Sequence, residues 1–188
     1  MVSKSTGKII FKVETETRGC FFMTTRNSGP DESKSIVFVE SEKFLKLWQR
    51  EPYSLEPHLS HGNESVWKND YKYNKAVHGF SSGITNPVPV PKVVAYFHDY
   101  HEIKYKRKLL FFKEVSEILT ERLPYLAIDD GVTRTIFLLA NKVKIFPVEV
   151  PSSQVDIISK YASPPGSDHF TLKQIYEKTY PQKCGITN

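Results

Sequence analysis

The sequence predicts a single α/β domain with a short mixed sheet flanked by helices. Three observations carry that expectation. β-favouring runs recur along the chain, apolar residues between them repeat at helical spacing, and 188 residues suffice to bury one core but not two. Residues 1–70 are expected as an N-terminal elaboration of this domain and 164–188 as a C-terminal helical extension.

In chain order, 9–13 and 20–25 read as strands joined by the polar 14–19, a hairpin with a loose connection. Residues 26–33, with Gly29-Pro30-Asp31 at their centre, form a loop before a buried strand at 36–39. Ser41 is placed to cap a helix carrying Phe44, Leu45, Leu47 and Trp48, which ends before Pro52. Prolines and Gly62 make 51–70 a surface excursion with a short helix near Val66 and Trp67. The alternating prolines of Asn86-Pro87-Val88-Pro89-Val90-Pro91 enforce an extended chain in the stretch 78–91. A helix is predicted from Pro91 or Lys92, with Val93, Val94, Phe97 and His101 as its inner stripe. A second, over 107–123, puts Phe111, Val115, Ile118 and Leu119 at i, i+4, i+7 and i+8, with Pro124 as its stop. A buried strand at 125–128, a sharp Asp129-Asp130-Gly131 turn, a helix over 132–141 and a strand at 146–150 follow. After Ser163-Pro164-Pro165-Gly166, a hinge by composition, an amphipathic helix is predicted over 168–180.

Composition limits the function classes. With 12 Phe and 10 Tyr, the chain has too much large apolar surface to stay disordered. Its uninterrupted apolar runs, such as 136–140, fall far short of the roughly 20 residues of a bilayer span, so no membrane insertion is expected. Ile9-Ile10-Phe11 is cut short by Lys12 and makes no signal-peptide core; the expected location is the cytoplasm, peripheral to the inner membrane only through partners. A net charge of +5 and a pI of about 9.0 favour a polyanionic partner. Cys20 and Cys184 lie far apart without a Cys-x-x-Cys pattern, which signals neither a disulfide framework nor a zinc site, and both read as reduced thiols.

The most informative segment is the strand, turn and helix between 125 and 141. A helix start exposes backbone N–H groups carrying partial positive charge, so a glycine turn leading into one can cradle phosphate. Arg134, in the first turn, can clamp phosphate oxygens bidentately, and Thr133 and Thr135 offer hydroxyls. The same residues fit a second role: Asp129 or Asp130 caps the helix, Gly131 turns the chain and Arg134 lies on a solvated face. Both stand on the residues alone.

Ile128-Asp129-Asp130-Gly131-Val132-Thr133-Arg134, followed by an apolar helix and Phe146-Pro147-Val148-Glu149, resembles the Gly-x-x-Arg nucleotide motif of the ParB/sulfiredoxin superfamily. With Gly79-Phe80 and Asn86-Pro87-Val88-Pro89, it is more specifically similar to the plasmid fertility inhibition factors. The resemblance implies a ParB/sulfiredoxin-like fold and an ATP-hydrolysing, DNA-cutting protein that stops transferred DNA leaving through a conjugative type IV secretion system. It places Gly131 and Arg134 on nucleotide phosphates, with Thr133 and Thr135 beside them. Pro91-Lys92-Val93 looks like the sulfiredoxin segment whose lysine meets the nucleotide, which makes Lys92 a further candidate. The reactive cysteine of sulfiredoxins is replaced here by Val132, so sulfinic-acid reduction by that route is excluded. ParB-type proteins carry a more basic motif and a following helix-turn-helix domain, and this chain has neither.

For DNA, the strip Lys104, Lys106, Arg107 and Lys108, interleaved with Tyr105 and followed by Phe111, offers cations for phosphate and rings for unpaired bases. Its alternative role is a solvated face over core aromatics. The pairs His58/His61 and His98/His101 lack an adjacent third ligand and are read as chance. Nuclease chemistry more often uses carboxylates around Mg²⁺, and Asp129 and Asp130 are the first candidates, with Glu42 a third. The catalytic set is therefore Arg134, Asp130 and Glu42. Two other functions stay open: a non-catalytic inhibitor that blocks a secretion or coupling protein by contact, and a small-molecule kinase on the same fold.

Overall fold

The computed structural model describes residues 9–16, 19–26, 29–109 and 112–179, and of 107–109, 112 and 113 the backbone only. Phe111 and Cys184 lie outside the described residues, and so do the side chains of Arg107 and Lys108.

The domain is α/β, as expected, but it is built on two mixed sheets. The smaller sheet has the order β1-β2-β4: β1 (Ile10–Thr15) and β2 (Gly19–Thr24) form the expected hairpin, and β4 (Val88–Pro89) runs parallel to β2. The larger has the order β6-β5-β7-β3-β8, from β3 (Lys34–Glu40), β5 (Lys92–Leu109), β6 (Phe112–Asp130), β7 (Ile145–Pro151) and β8 (Phe170–Thr171). β3 sits inside this sheet, paired with β7 on one side and β8 on the other, so the N-terminal part contributes a strand to it. The sheets meet through Phe11 and Phe38, edge to face at 6.0 Å.

Seven α-helices cover these sheets among the described residues. α1 (Ser41–Gln49) buries Phe44, Leu47 and Trp48, with Phe44 against Phe146 of β7 at 5.2 Å. Its N-cap is Glu40; the Ser41 hydroxyl instead donates to the Val143 carbonyl. α2 (Pro57–Ser60) and α3 (Glu64–Lys68) make up the short helical excursion, α3 capped by the Asn63 side chain on the N–H groups of Ser65 and Val66. α4 (Tyr73–Ser81), α5 (Val132–Ala140) and α6 (Val155–Ala162) follow, and α7 (Leu172–Thr179) is a shorter form of the predicted last helix.

Two expectations are overturned. The helices predicted from Lys92 and over 107–123 are the two arms of one antiparallel hairpin, β5 and β6. Burial alternates in the strand period only over the inner residues 93–95, and both prolines suit strands: Pro91 precedes β5, and Pro124 lies on β6, an edge strand that tolerates a missing N–H. The inner half of the hairpin is buried at Val93, Ala95 and Leu126, whereas residues 101–106 and 114–122 are exposed on both faces, an arm leaving the body. The extended chain read over 78–91 is extended only at its end. Its first residues belong to α4, whose Tyr73, Ala76 and Phe80 repeat at i, i+3 and i+7 and are all buried.

Candidate functional site

An aromatic cluster positions the site. Phe80 of α4 and Phe137 of α5 stack at 4.5 Å, and Phe21 of β2 closes on both rings at 5.1 Å. α4 therefore lies along α5, and its N-cap residue Lys72 and Lys75 of its first turn share a cleft with the start of α5. Between them, β4 and the end of β6 is a cleft of about 530 Å³, whose lining includes Arg26, Lys72, Lys75, Asp129, Gly131 and Arg134. Thr133, Asp130, Asp70 and Glu56 complete its polar lining. The charges balance: Arg26, Lys72, Lys75 and Arg134 against Glu56, Asp70, Asp129 and Asp130. The Tyr71 hydroxyl beside Lys72 holds its ammonium above the ordinary lysine pKa, so that charge persists throughout the working pH range.

The turn into α5 is made by a left-handed glycine. Gly131 is the N-cap, with φ 103° and ψ 24°, the left-handed region that glycine enters freely. No side chain caps the helix and no acid stands in its first turn, so neither aspartate caps it. The Arg134 guanidinium folds back over Gly131, where a Cβ would meet Nη2 at 2.7 Å. Arg134 Nη1 donates to the Pro89 carbonyl at 2.8 Å, fixing α5 to β4, and Nη2 lies 2.8 Å from Asp130 Oδ2. Arg26 Nη2 reaches the same oxygen at 2.7 Å. The β5–β6 register slips between Lys92 and Val93, so that Asp129 occupies a bulge and projects exposed into the cleft.

The remaining candidates are placed differently. Thr135 is fully buried and turned away from the cleft. Lys92 is the register partner of Asp130 but points toward the buried Glu149, with Nζ 3.8 Å from Oε1; Lys34 reaches the same oxygen at 3.6 Å. Glu42 lies at the opposite end of α5, in a second cleft with Leu139, Lys142 and Val143, and is not brought to Asp130. His98 and His101, three apart on a strand, alternate between faces, and no group of three or more His, Cys, Asp or Glu gathers among the described residues. Lys104 faces Glu117 across the arm, with Nζ 3.5 Å from Oε2, and Lys106 is in register with Glu114, so β6 partly neutralises the basic strip.

Arg26, Lys72 and Lys75, which also line the cleft, are not among the residues the sequence singles out. Tyr73, Ala76 and Phe80 at helical spacing could have revealed α4 and hence its lysine flank.

No curated protein matches the chain. Among solved structures, the crystal structure described as Oncogenic Suppression Activity Protein, a plasmid fertility inhibition factor in its gold(I) cyanide derivative, shares the fold. Its TM-score is 0.70 at 19% identity, over 97% of this chain and 82% of that one. A family model described as plasmid fertility inhibition factor matches residues 36–163, a span running from β3 through both walls of the cleft to the end of α6. With well over half its length matched, the chain belongs to the plasmid fertility inhibition factor family.

Proposed function

We propose that the cleft binds the phosphate chain of ATP and that the protein hydrolyses ATP, cuts DNA, and so blocks DNA export through a conjugative type IV secretion system. The observation that supports this reading most strongly is the uncapped start of α5 beside Gly131, opening on a cleft with four cations. Free N–H groups there can receive phosphate oxygens, and Arg134, already oriented by Pro89, adds a charged donor. Lys72 and Lys75 close on the chain from α4. Exposed Asp129 suits Mg²⁺, which needs only one or two carboxylates beside the substrate's phosphates. When bound, the ion would neutralise charge developing on the transferred phosphoryl oxygens. DNA is assigned to the outer part of the arm, which carries exposed Lys104 and Lys106 and runs on in sequence to Arg107 and Lys108.

The test uses purified protein and its Lys72→Ala/Lys75→Ala variant, which alters only the cleft rim. ATP hydrolysis and DNA cleavage are followed in vitro, and plasmid transfer from donor cells in vivo. The expected result is hydrolysis and cleavage by the parent, with hydrolysis and transfer inhibition both lost in the variant. Full inhibition by a variant without hydrolysis contradicts the enzymatic reading.

One observation favours a second reading, inhibition by contact with a secretion or coupling protein. One face of the arm carries Ile103, Tyr105, Val115 and Ile118, all exposed, and a two-stranded arm solvated on both faces gains stability by docking. Inhibition that survives loss of hydrolysis but not charged substitutions at Ile103 and Ile118 supports it.

A further inference from the structure

We propose that Asp130 is an internal anion that occupies the phosphate position of the cleft and must leave before a phosphate can bind. This rests on reading the cleft as a phosphate site and adds what controls access to it.

Asp130 Oδ2 lies within 2.7 and 2.8 Å of two guanidiniums that come from distant elements, Arg26 after β2 and Arg134 in α5. The oxygen is out of reach of solvent, yet neither approach is an aligned hydrogen bond, so charge alone holds it. A phosphate oxygen offers the same charge with more acceptors. Arg134 does not depend on Asp130 for its place, because Nη1 stays on the Pro89 carbonyl. When Asp130 leaves, Nη2 remains aimed at the vacated position.

The displaced carboxylate has a partner at hand. Lys92 is its register neighbour on β5 and, among the described residues, forms its ion pair with Glu149, at 3.8 Å, an acid it shares with Lys34. The bulge at Asp129 and the left-handed Gly131 flank Asp130 on either side, which lets the carboxylate turn without breaking the ladder of β5. Lys92 therefore acts through Asp130 without touching phosphate. The charge balance agrees: with Asp130 withdrawn, the neutral cleft becomes net positive.

The experiment measures the affinity of inorganic tripolyphosphate, without divalent metal, for the parent, Asp130→Asn, Lys92→Ala and the double variant, each checked by thermal unfolding. Lys72→Ala is run in parallel to report on the cleft itself. Asp130→Asn should tighten binding on the order of tenfold or more, because a like charge a few ångströms from the phosphate is removed. Lys92→Ala should weaken binding in the parent and leave it unchanged in the Asp130→Asn background, the non-additivity of two coupled groups. If Asp130→Asn does not fold, weakening by Lys92→Ala must be relieved by Asp130→Ser. Equal or weaker binding by Asp130→Asn, or an equal effect of Lys92→Ala in both backgrounds, overturns the proposal. If Lys72→Ala still weakens binding in that case, the cleft reading survives. Absence of binding by the parent and by Asp130→Asn overturns both.

Discussion

The rings of Phe80 and Phe137 stack 4.5 Å apart and within 8° of parallel. With the Tyr73–Phe137 ring contact at 5.7 Å, this stacking sets α4 beside α5, and Lys72 and Lys75 come within the cleft that Arg134 floors. Phe80→Ala should cost about 3–5 kcal/mol of stability, as for other buried aromatic truncations. It should also weaken nucleotide binding, although Phe80 is no part of the cleft lining. Denaturant unfolding beside a nucleotide titration checks both. A large stability loss with unchanged affinity would mean that α4 does not shape the site.

Gly131 combines a positive φ with the guanidinium of Arg134 packed where a side chain would stand. Gly131→Ala should cost roughly 1–2 kcal/mol from backbone strain. Because the Cβ would press on the guanidinium of Arg134 and push it off the Pro89 carbonyl, phosphate binding should fall further than the stability change implies. A variant that keeps full affinity would place the phosphate elsewhere.

At the far end of α5, Lys142 is a non-glycine residue at φ 54°. Its N–H reaches the Leu139 carbonyl at 3.0 Å and the Val143 N–H reaches that of Leu138 at 3.1 Å, a helix stop that ordinarily takes glycine. Lys142→Gly should stabilise the fold by about 1 kcal/mol, raising Tm by roughly 2–4 °C. A lowered Tm in a thermal melt would show that the lysine side chain offsets its strain through its packing in the cleft beside Glu42.

How far the sequence could be read follows from which signals are local. β1, β2, β3, α1, α5 and β7 each carry their period and their stops within a few residues, and all appear where expected. Gly131 and Arg134 belong to one such segment, so the centre of the cleft was legible. Its walls were not, because Arg26, Lys72 and Lys75 reach it only through the packing of Phe21, Phe80 and Phe137. The hairpin β5–β6 misled for a different reason. A strand pair with both faces solvated needs no strict alternation, and Val115, Ile118 and Leu119 then mimic a helical stripe.

Lys104 and Lys106 share one face of the arm with Glu117 and Glu114 as cross-strand neighbours. If DNA is held there, Lys106→Glu/Arg107→Glu should flatten the dependence of log affinity on log salt by nearly 2 for duplex DNA, since each position would no longer neutralise a phosphate. Nucleotide binding should be unaffected, since Lys106 is exposed on the arm and is no part of the cleft lining. An unaltered salt slope removes the arm from DNA recognition and leaves it to protein docking.

The central claim is that the space between Arg134, Lys72 and Lys75 receives a nucleotide's phosphates. Calorimetric titration of a non-hydrolysable ATP analogue into the parent and Arg134→Lys tests it most directly. The lysine keeps the charge but cannot hold the Pro89 carbonyl and a phosphate together as the guanidinium does. The account predicts saturable binding by the parent, weaker by about 2 kcal/mol, some thirtyfold, in the folded variant. Equal affinities, or no binding by the parent, would contradict it.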